Sequence, residues 1–300
     1  MLQTLALGGW GLLWLSPYRL LYFLLYAVGW RSLLRPYDPE RRADLPYLLW
    51  VTSVREAIDR LLPVASVGGS VAGVRLLRWR NLAAAPVAAT VIVEILLTVA
   101  VLYVFTALGL VLLFSLQNPG AQYHRLLIGF LLSLPVPALI AWVLRYGSVF
   151  SRLHKFLRPL VGESLFAQGA ADLDQELRAT LSRGATLIGV GLLQLAAVLS
   201  ASLEVWLVLR LCGHPVGFGV SVILESLTQA MRHVAFMVPA GLGVQEGTLM
   251  LIGQLFGISG ELALAVSMAK RLREVLCGLP PLLSWQWLET RRLKLPQRSA

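Results

Sequence analysis

Lys270, Arg271, Arg273 and Glu274 fall within five residues of an otherwise apolar stretch, 261–288, and Glu246 precedes them in a Pro/Gly-rich segment. A charge at the centre of a membrane-spanning helix costs about 2.5–3.5 kcal/mol on insertion scales, so it faces the protein interior and takes a partner. Lys270 and Glu274 are four residues apart, and Arg271 and Glu274 three apart, so one carboxylate can serve either cation. Arg273 is left over. Three cations against one carboxylate leave an excess of positive charge, which suits Glu246 or the phosphate of an anionic lipid. Arg232 lies two helical turns from Glu225 on one side and from Pro239 on the other, so Glu225 and Arg232 read either as an extension of this polar lining toward the outer leaflet or as an ion pair near the interface. The opposing reading gives Glu246 a purely folding role, capping the helix that follows it and pairing with an arginine.

The element that must position these groups is the run Phe236-Met-Val-Pro-Ala-Gly-Leu-Gly-Val-Gln-Glu-Gly247. Pro239 donates no backbone hydrogen bond, and Gly241, Gly243 and Gly247 loosen the chain. Non-helical backbone at membrane depth must be buried in protein or line a polar cavity. A second such break follows Glu56, Asp59 and Arg60, with Pro63, Gly68 and Gly69 at its tip. Glu56 and Arg60 are four residues apart and can pair.

With 57% hydrophobic residues, 14% charged residues and a mean hydropathy of +0.72, the chain reads as an all-α polytopic membrane bundle. The net charge of +10 gathers in segments between apolar runs, which fits the positive-inside bias better than nucleic-acid binding. Attraction to anionic headgroups is compatible with the same pattern. Cys212 and Cys277 lie in apolar surroundings without metal-like spacing and read as packing residues. The N-terminus lacks the basic start and small-residue cleavage site of a removed signal peptide. No phosphate-binding loop, zinc-protease motif or nucleophile elbow is present, and Gly241-Leu-Gly243-Val-Gln-Glu-Gly247 is one residue too long for a dinucleotide fingerprint. His233 lies near the candidate site and reads as a hydrogen-bonded structural histidine. No cofactor and no metal is expected.

Residues 2–15 and 18–34 read as a helical hairpin with Trp10, Trp14, Tyr18 and Trp30 at the interface. Residues 83–114, 126–144, 185–211 and 261–288 read as crossings, the second kinked at Pro135 and Pro137. The chain forms a single transmembrane domain over 1–300, with a polar cytoplasmic connection at 145–184 and a basic cytoplasmic tail at 291–300. Parity then makes 47–74 and 217–257 re-entrant hairpins entering from opposite faces. That arrangement is either an inverted repeat of the kind found in secondary transporters or a chance likeness of two Gly-rich turns.

Glu204-Val-Trp206, Gly213-His-Pro215, Glu225-Ser-Leu-Thr-Gln229-Ala, Val238-Pro-Ala-Gly-Leu-Gly-Val-Gln-Glu246-Gly, and Lys270-Arg-Leu-Arg-Glu274 with Gly278-Leu-Pro280 together resemble the HpnL family of hopanoid-biosynthesis-associated membrane proteins. That family lies within the flippase-like group related to the transmembrane domain of lysylphosphatidylglycerol synthases. The likeness is densest over 200–290, and Leu61 to Gly69 resembles the family's first polar break. It departs at Asp59, where the family has asparagine, and at Ala240, where it often has glycine. The resemblance implies a bacterial inner-membrane protein that moves or presents a polar lipid, a hopanoid or an anionic phospholipid. The leading reading of the residues places headgroup binding at Glu246, Lys270, Arg271, Arg273 and Glu274, with Arg232 and Glu56 secondary. The related bifunctional proteins add a soluble aminoacyltransferase domain, for which this chain has no room after residue 290, so no enzyme activity is expected. An accessory lipid-binding subunit and an intramembrane transferase using Glu246 or His233 as base are the alternatives. Membrane lipids are the expected partners, with lipid-modifying enzymes as further candidates and the oligomeric state open.

Overall fold

A computed structural model describes residues 15–62, 68–117, 121–148, 150–151, 165–235, 238 and 241–294. The first half of the expected N-terminal hairpin, Pro63 and Pro239 lie outside the described residues. Among the described residues the chain forms helices and no strand, in the order α1 (Leu15–Leu34), α2 (Leu45–Leu61), α3 (Gly68–Arg78), α4 (Ala84–Leu116), α5 (Ala121–Ser133), α6 (Pro135–Tyr146), α7 (Leu165–Leu181), α8 (Gly184–Leu211), α9 (Phe218–Val234), α10 (Val244–Gly253) and α11 (Gly260–Lys294). Three helical segments are long and apolar enough to cross a membrane: Ala84–Leu116, Leu127–Tyr146 and Gly184–Leu211. α11 has the length, but its charges keep it outside that group. This is an all-α membrane bundle.

The expected kink in the second run is present. α5 ends at Ser133 and α6 begins at Pro135. Pro135 has no N–H for the carbonyl of Leu131, and the N–H of Leu134 takes that carbonyl instead at 3.3 Å. The Leu131, Leu132, Leu139 and Trp142 side chains on this segment are all exposed, as suits a lipid-facing element.

α1 packs on α8, α4 on α9, and α11 on α2, while α2–α3 and α9–α10 each fold back on themselves across their breaks. Two main apolar clusters result. One joins Trp30, Leu48, Val51, Leu76, Val87, Leu177 and Leu282. The other joins Leu113, Leu209, Ile223, Leu249, Val266 and Ala269. Along α11 the charges at 270–274 therefore fall between Ala269 in one cluster and Leu282 in the other. Along α4, Glu94 likewise falls between Val93 and Leu110.

Close approach depends on missing side chains. The Gly69 N–H donates to Asp59 Oδ1 at 2.9 Å, which clasps α3 onto α2 at the first break. A Cβ on Gly69 would collide with the Arg55 carbonyl and the Asp59 carboxylate. Asp59 therefore works here as a backbone clasp. Gly109 on α4 lets Ser226 of α9 sit against the bare backbone, a small-residue contact of the kind that brings membrane helices together. Gly109→Leu is expected to push α4 and α9 apart and destabilise the bundle by about 1–3 kcal/mol through overpacking. A thermal unfolding scan in detergent checks this, with Gly129→Leu, whose site is open, as the neutral comparison.

Candidate functional site: a buried charge network around two broken helices

The four charges at 270–274 do not serve one another. Lys270 Nζ pairs with Glu225 of α9. Arg273 Nε donates to Glu204 of α8. Arg271 Nε donates to Glu246 of α10 at 2.8 Å. Glu274 takes Arg232 of α9 at 3.3 Å. Two sequence expectations are thereby corrected: Glu274 is not the shared partner of Lys270 and Arg271, and Arg273 is not left over. The reason is helical geometry. Lys270 and Glu274 share the face of α11 that meets α9, where each finds its own partner, while Arg271 and Arg273 point to α10 and α8. Arg232 and Glu225, expected on one face of α9, both reach α11, but they bind different residues of it.

Burial decides how these pairs act. Glu204, Glu225, Lys270 and Arg273 are each no more than 5% exposed. A pair at that depth is held by mutual need, since removing one member strands the other's charge in a low-dielectric interior. Gln229 donates to the second oxygen of Glu225 at 2.9 Å, completing that site.

Glu246 is engaged at both oxygens. Its Oε2 accepts the N–H of Gly243 at 2.9 Å. Its Oε1 accepts from Ser267 at 2.9 Å and from Arg271. This is a carboxylate in the first helical turn satisfying the N-cap backbone. Gly241 and Gly243 adopt positive φ angles of 61° and 80°, which L side chains rarely tolerate, and a Cβ on Gly241 would crowd Arg232. Gly247, expected to belong to the break, is instead helical in α10, with its N–H bonded to the Gly243 carbonyl at 2.9 Å. Gly68 and Gly69 form the start of α3 after the first break.

A continuous polar chain links the second break to α11. Arg232 bridges Glu274 and Gln245 Oε1, the latter at 2.7 Å. Gln245 Nε2 donates to Ser267 Oγ at 2.7 Å, and Ser267 donates to Glu246. Gln245 and Ser267 are members that the sequence reading missed, because uncharged side chains on apolar helices give no signal until their neighbours are known.

Residues beside the first break join the same cluster. Glu56 pairs with Arg60 at 3.1 Å, as its spacing predicted, and also with Arg19 of α1 at 3.0 Å. Arg60 interacts through space with Glu274 as well as with Glu56, and with Arg232. Glu56 in turn feels Arg273. The two breaks therefore contribute to one electrostatic cluster. Arg19, Arg60, Arg232, Lys270 and Arg273 face Glu56, Asp59, Glu204, Glu225 and Glu274, so five cations meet five carboxylates. Arg19 was not singled out from sequence, since a lone arginine near the start of an apolar run reads as an interfacial anchor. It is buried, with its guanidinium 3.6 Å from the centre of the Tyr22 ring. A separate pair, Arg55 with Glu94 at 2.7 Å, ties α2 to α4 beneath Trp30.

His233 Nδ1 lies 2.8 Å from the Gln229 carbonyl, the structural bond expected of it, with Nδ1–H as donor. Cys212 and Cys277 are in no disulfide among the described residues, and Cys212 packs in an apolar cluster. Among the described residues no three His, Cys, Asp or Glu side chains gather to hold a metal ion.

Glu225→Gln is expected to destabilise the protein by about 3–5 kcal/mol by leaving Lys270 buried and unpaired. The double replacement Glu225→Leu with Lys270→Met is expected to recover most of that loss. Thermal unfolding of both variants in one detergent checks the pair; equal losses would show that Lys270 does not depend on Glu225.

The lysylphosphatidylglycerol synthase TM region family matches residues 2–279 of this chain. Comparison with curated proteins and with solved structures returned no match.

Proposed function

The chain belongs to the lysylphosphatidylglycerol synthase TM region family, and we propose that it is a flippase-like protein that translocates or presents a polar lipid across a bacterial inner membrane. The observation that carries this reading is the gathering of buried charge inside a membrane bundle. Five buried or half-buried cations meet five carboxylates, among them Asp59, beside two helix breaks. Ionisable side chains inside a membrane bundle are costly to place there and mark substrate paths. A charged or zwitterionic headgroup exchanges for these ion pairs, while its apolar part stays in lipid.

The roles divide by engagement. Glu204–Arg273 and Glu225–Lys270 form the fixed wall. Glu246 with Arg271 holds the second break in shape. Arg232, Arg60, Glu274 and Glu56 meet the headgroup, Arg60 because it shares Glu56 with Arg19, and Arg232 because its bond to Glu274 is the longest in the network at 3.3 Å. Pro239, Gly241 and Gly243 shape the polar turn. In this reading the basic segments and the C-terminal tail are cytoplasmic, and a hopanoid is one candidate lipid alongside an anionic phospholipid. The accessory reading, in which the same site binds lipid without turnover, uses the same residues.

The test is lipid movement in proteoliposomes, with labelled anionic, neutral and hopanoid lipids. Wild type is expected to exceed empty vesicles for at least one lipid. Arg232→Gln, which leaves Glu274 with Arg60, is expected to stay folded and lose at least about tenfold in rate. Wild type that binds lipid without moving any of the three would establish the accessory role in place of translocation.

A further inference from the structure

A second basic site lies about five helical turns along α11 from Glu274. A cavity of about 400 Å³ opens between the start of α2, the α3–α4 turn and the end of α11. Tyr47, Trp50 and Trp79 form its walls, and Arg80, Arg291 and Arg292 line it. It contains none of the residues of the buried network.

The three guanidiniums are held by rings. The Arg80 guanidinium lies 4.4 Å from the centre of the Tyr47 ring. Arg292 lies 4.1 Å from Trp79, and Arg291 lies 3.7 Å from Trp287. A ring face orients a guanidinium without neutralising it and leaves its N–H donors along the edge available. The nearest acidic contact recorded for these three is Asp44, 3.8 Å from Arg80, beyond hydrogen-bond distance. Glu289 on the same turn of α11 is occupied by Arg75. The walls are fixed in turn: Tyr47 Oη donates to the Leu76 carbonyl at 2.7 Å, and Trp50 Nε1 donates to Ser284 Oγ at 2.9 Å. A rigid aromatic cavity presenting two guanidiniums with no carboxylate partner among the described residues, and a third, Arg80, only loosely paired with Asp44, matches a phosphate group.

The source of that phosphate is given by the helix leading to it. Leu279, Leu283 and Trp287 are exposed at 44%, 58% and 53%. They repeat every four residues and so form one stripe along α11, and the next position in that stripe is Arg291. An apolar lipid-facing stripe that ends at a guanidinium marks the level where acyl chains give way to headgroups.

We propose that this cavity is a binding site for an anionic phospholipid, its phosphate held between Arg80, Arg291 and Arg292 and an acyl chain lying along Leu279, Leu283 and Trp287.

The experiment titrates the purified full chain, in neutral detergent, with phosphatidic acid, with phosphatidylcholine of the same acyl chains and with glycerol 3-phosphate, reading bound ligand by native mass spectrometry. Wild type is expected to bind phosphatidic acid at least about tenfold more tightly than either other ligand. Each arginine changed among Arg80→Gln, Arg291→Gln and Arg292→Gln is expected to cost about fivefold. The triple variant Arg31→Gln, Arg35→Gln, Arg78→Gln removes as much charge outside the cavity and is expected to change binding by less than twofold. Equal loss in that control would overturn the site in favour of diffuse surface charge. Glycerol 3-phosphate binding as tightly as phosphatidic acid would overturn the lipid assignment in favour of a soluble phosphate ester. Should the triple cavity variant fail to fold, Arg291→Gln alone, on an exposed side chain, carries the same test.

Discussion

The structure depends on the need of each buried charge for a partner from another helix. α11 carries Lys270, Arg271, Arg273 and Glu274, and their partners come from α9, α10, α8 and again α9. No pair within α11 would fix where that helix lies. Four pairs to three neighbours do, because each cation fails energetically if its neighbour moves away. The apolar clusters on either side supply most of the contact area, but lipid is as apolar as leucine and cannot tell one leucine face from another. The charges supply the register that apolar packing in a bilayer lacks.

The broken segments answer a second constraint. A backbone that leaves the helix inside apolar surroundings exposes N–H and carbonyl groups that must be satisfied. Side chains do this at both breaks. Asp59 takes the Gly69 N–H at the first, and Glu246 takes the Gly243 N–H at the second. In each case a carboxylate binds a glycine amide across the turn, and the glycine has the freedom or the bare surface that the contact needs. The carboxylate that satisfies the second break is also the partner of Arg271, so the shape of the turn and the position of α11 are coupled.

The network and the aromatic cavity sit at different depths along one helix and use arginine differently. In the network, guanidiniums are paired with carboxylates and mostly buried. In the cavity, they lie on rings and remain exposed. The first arrangement balances charge internally. The second keeps its charge for something outside the protein.

The sequence by itself determined the class of molecule, the places where helices break and the fact that charge lies buried. Long apolar runs, Pro135 after Ser133, the Gly-rich turn and the charges at 270–274 are local features, and local chemistry reads them directly. The Glu56–Arg60 pair was legible for the same reason, since both residues share one helical face. Only the tertiary structure decided who pairs with whom across helices. Lys270 has Glu274 one turn away in sequence, yet it binds Glu225, 45 residues distant. Arg273 finds Glu204, and Arg19 joins Glu56. Periodicity places a side chain on a face of its own helix, but it is silent on which helix that face meets. The assignment of partners, the roles of Gln245 and Ser267, and the meeting of both breaks in one cluster all follow from helix packing, which no local pattern encodes.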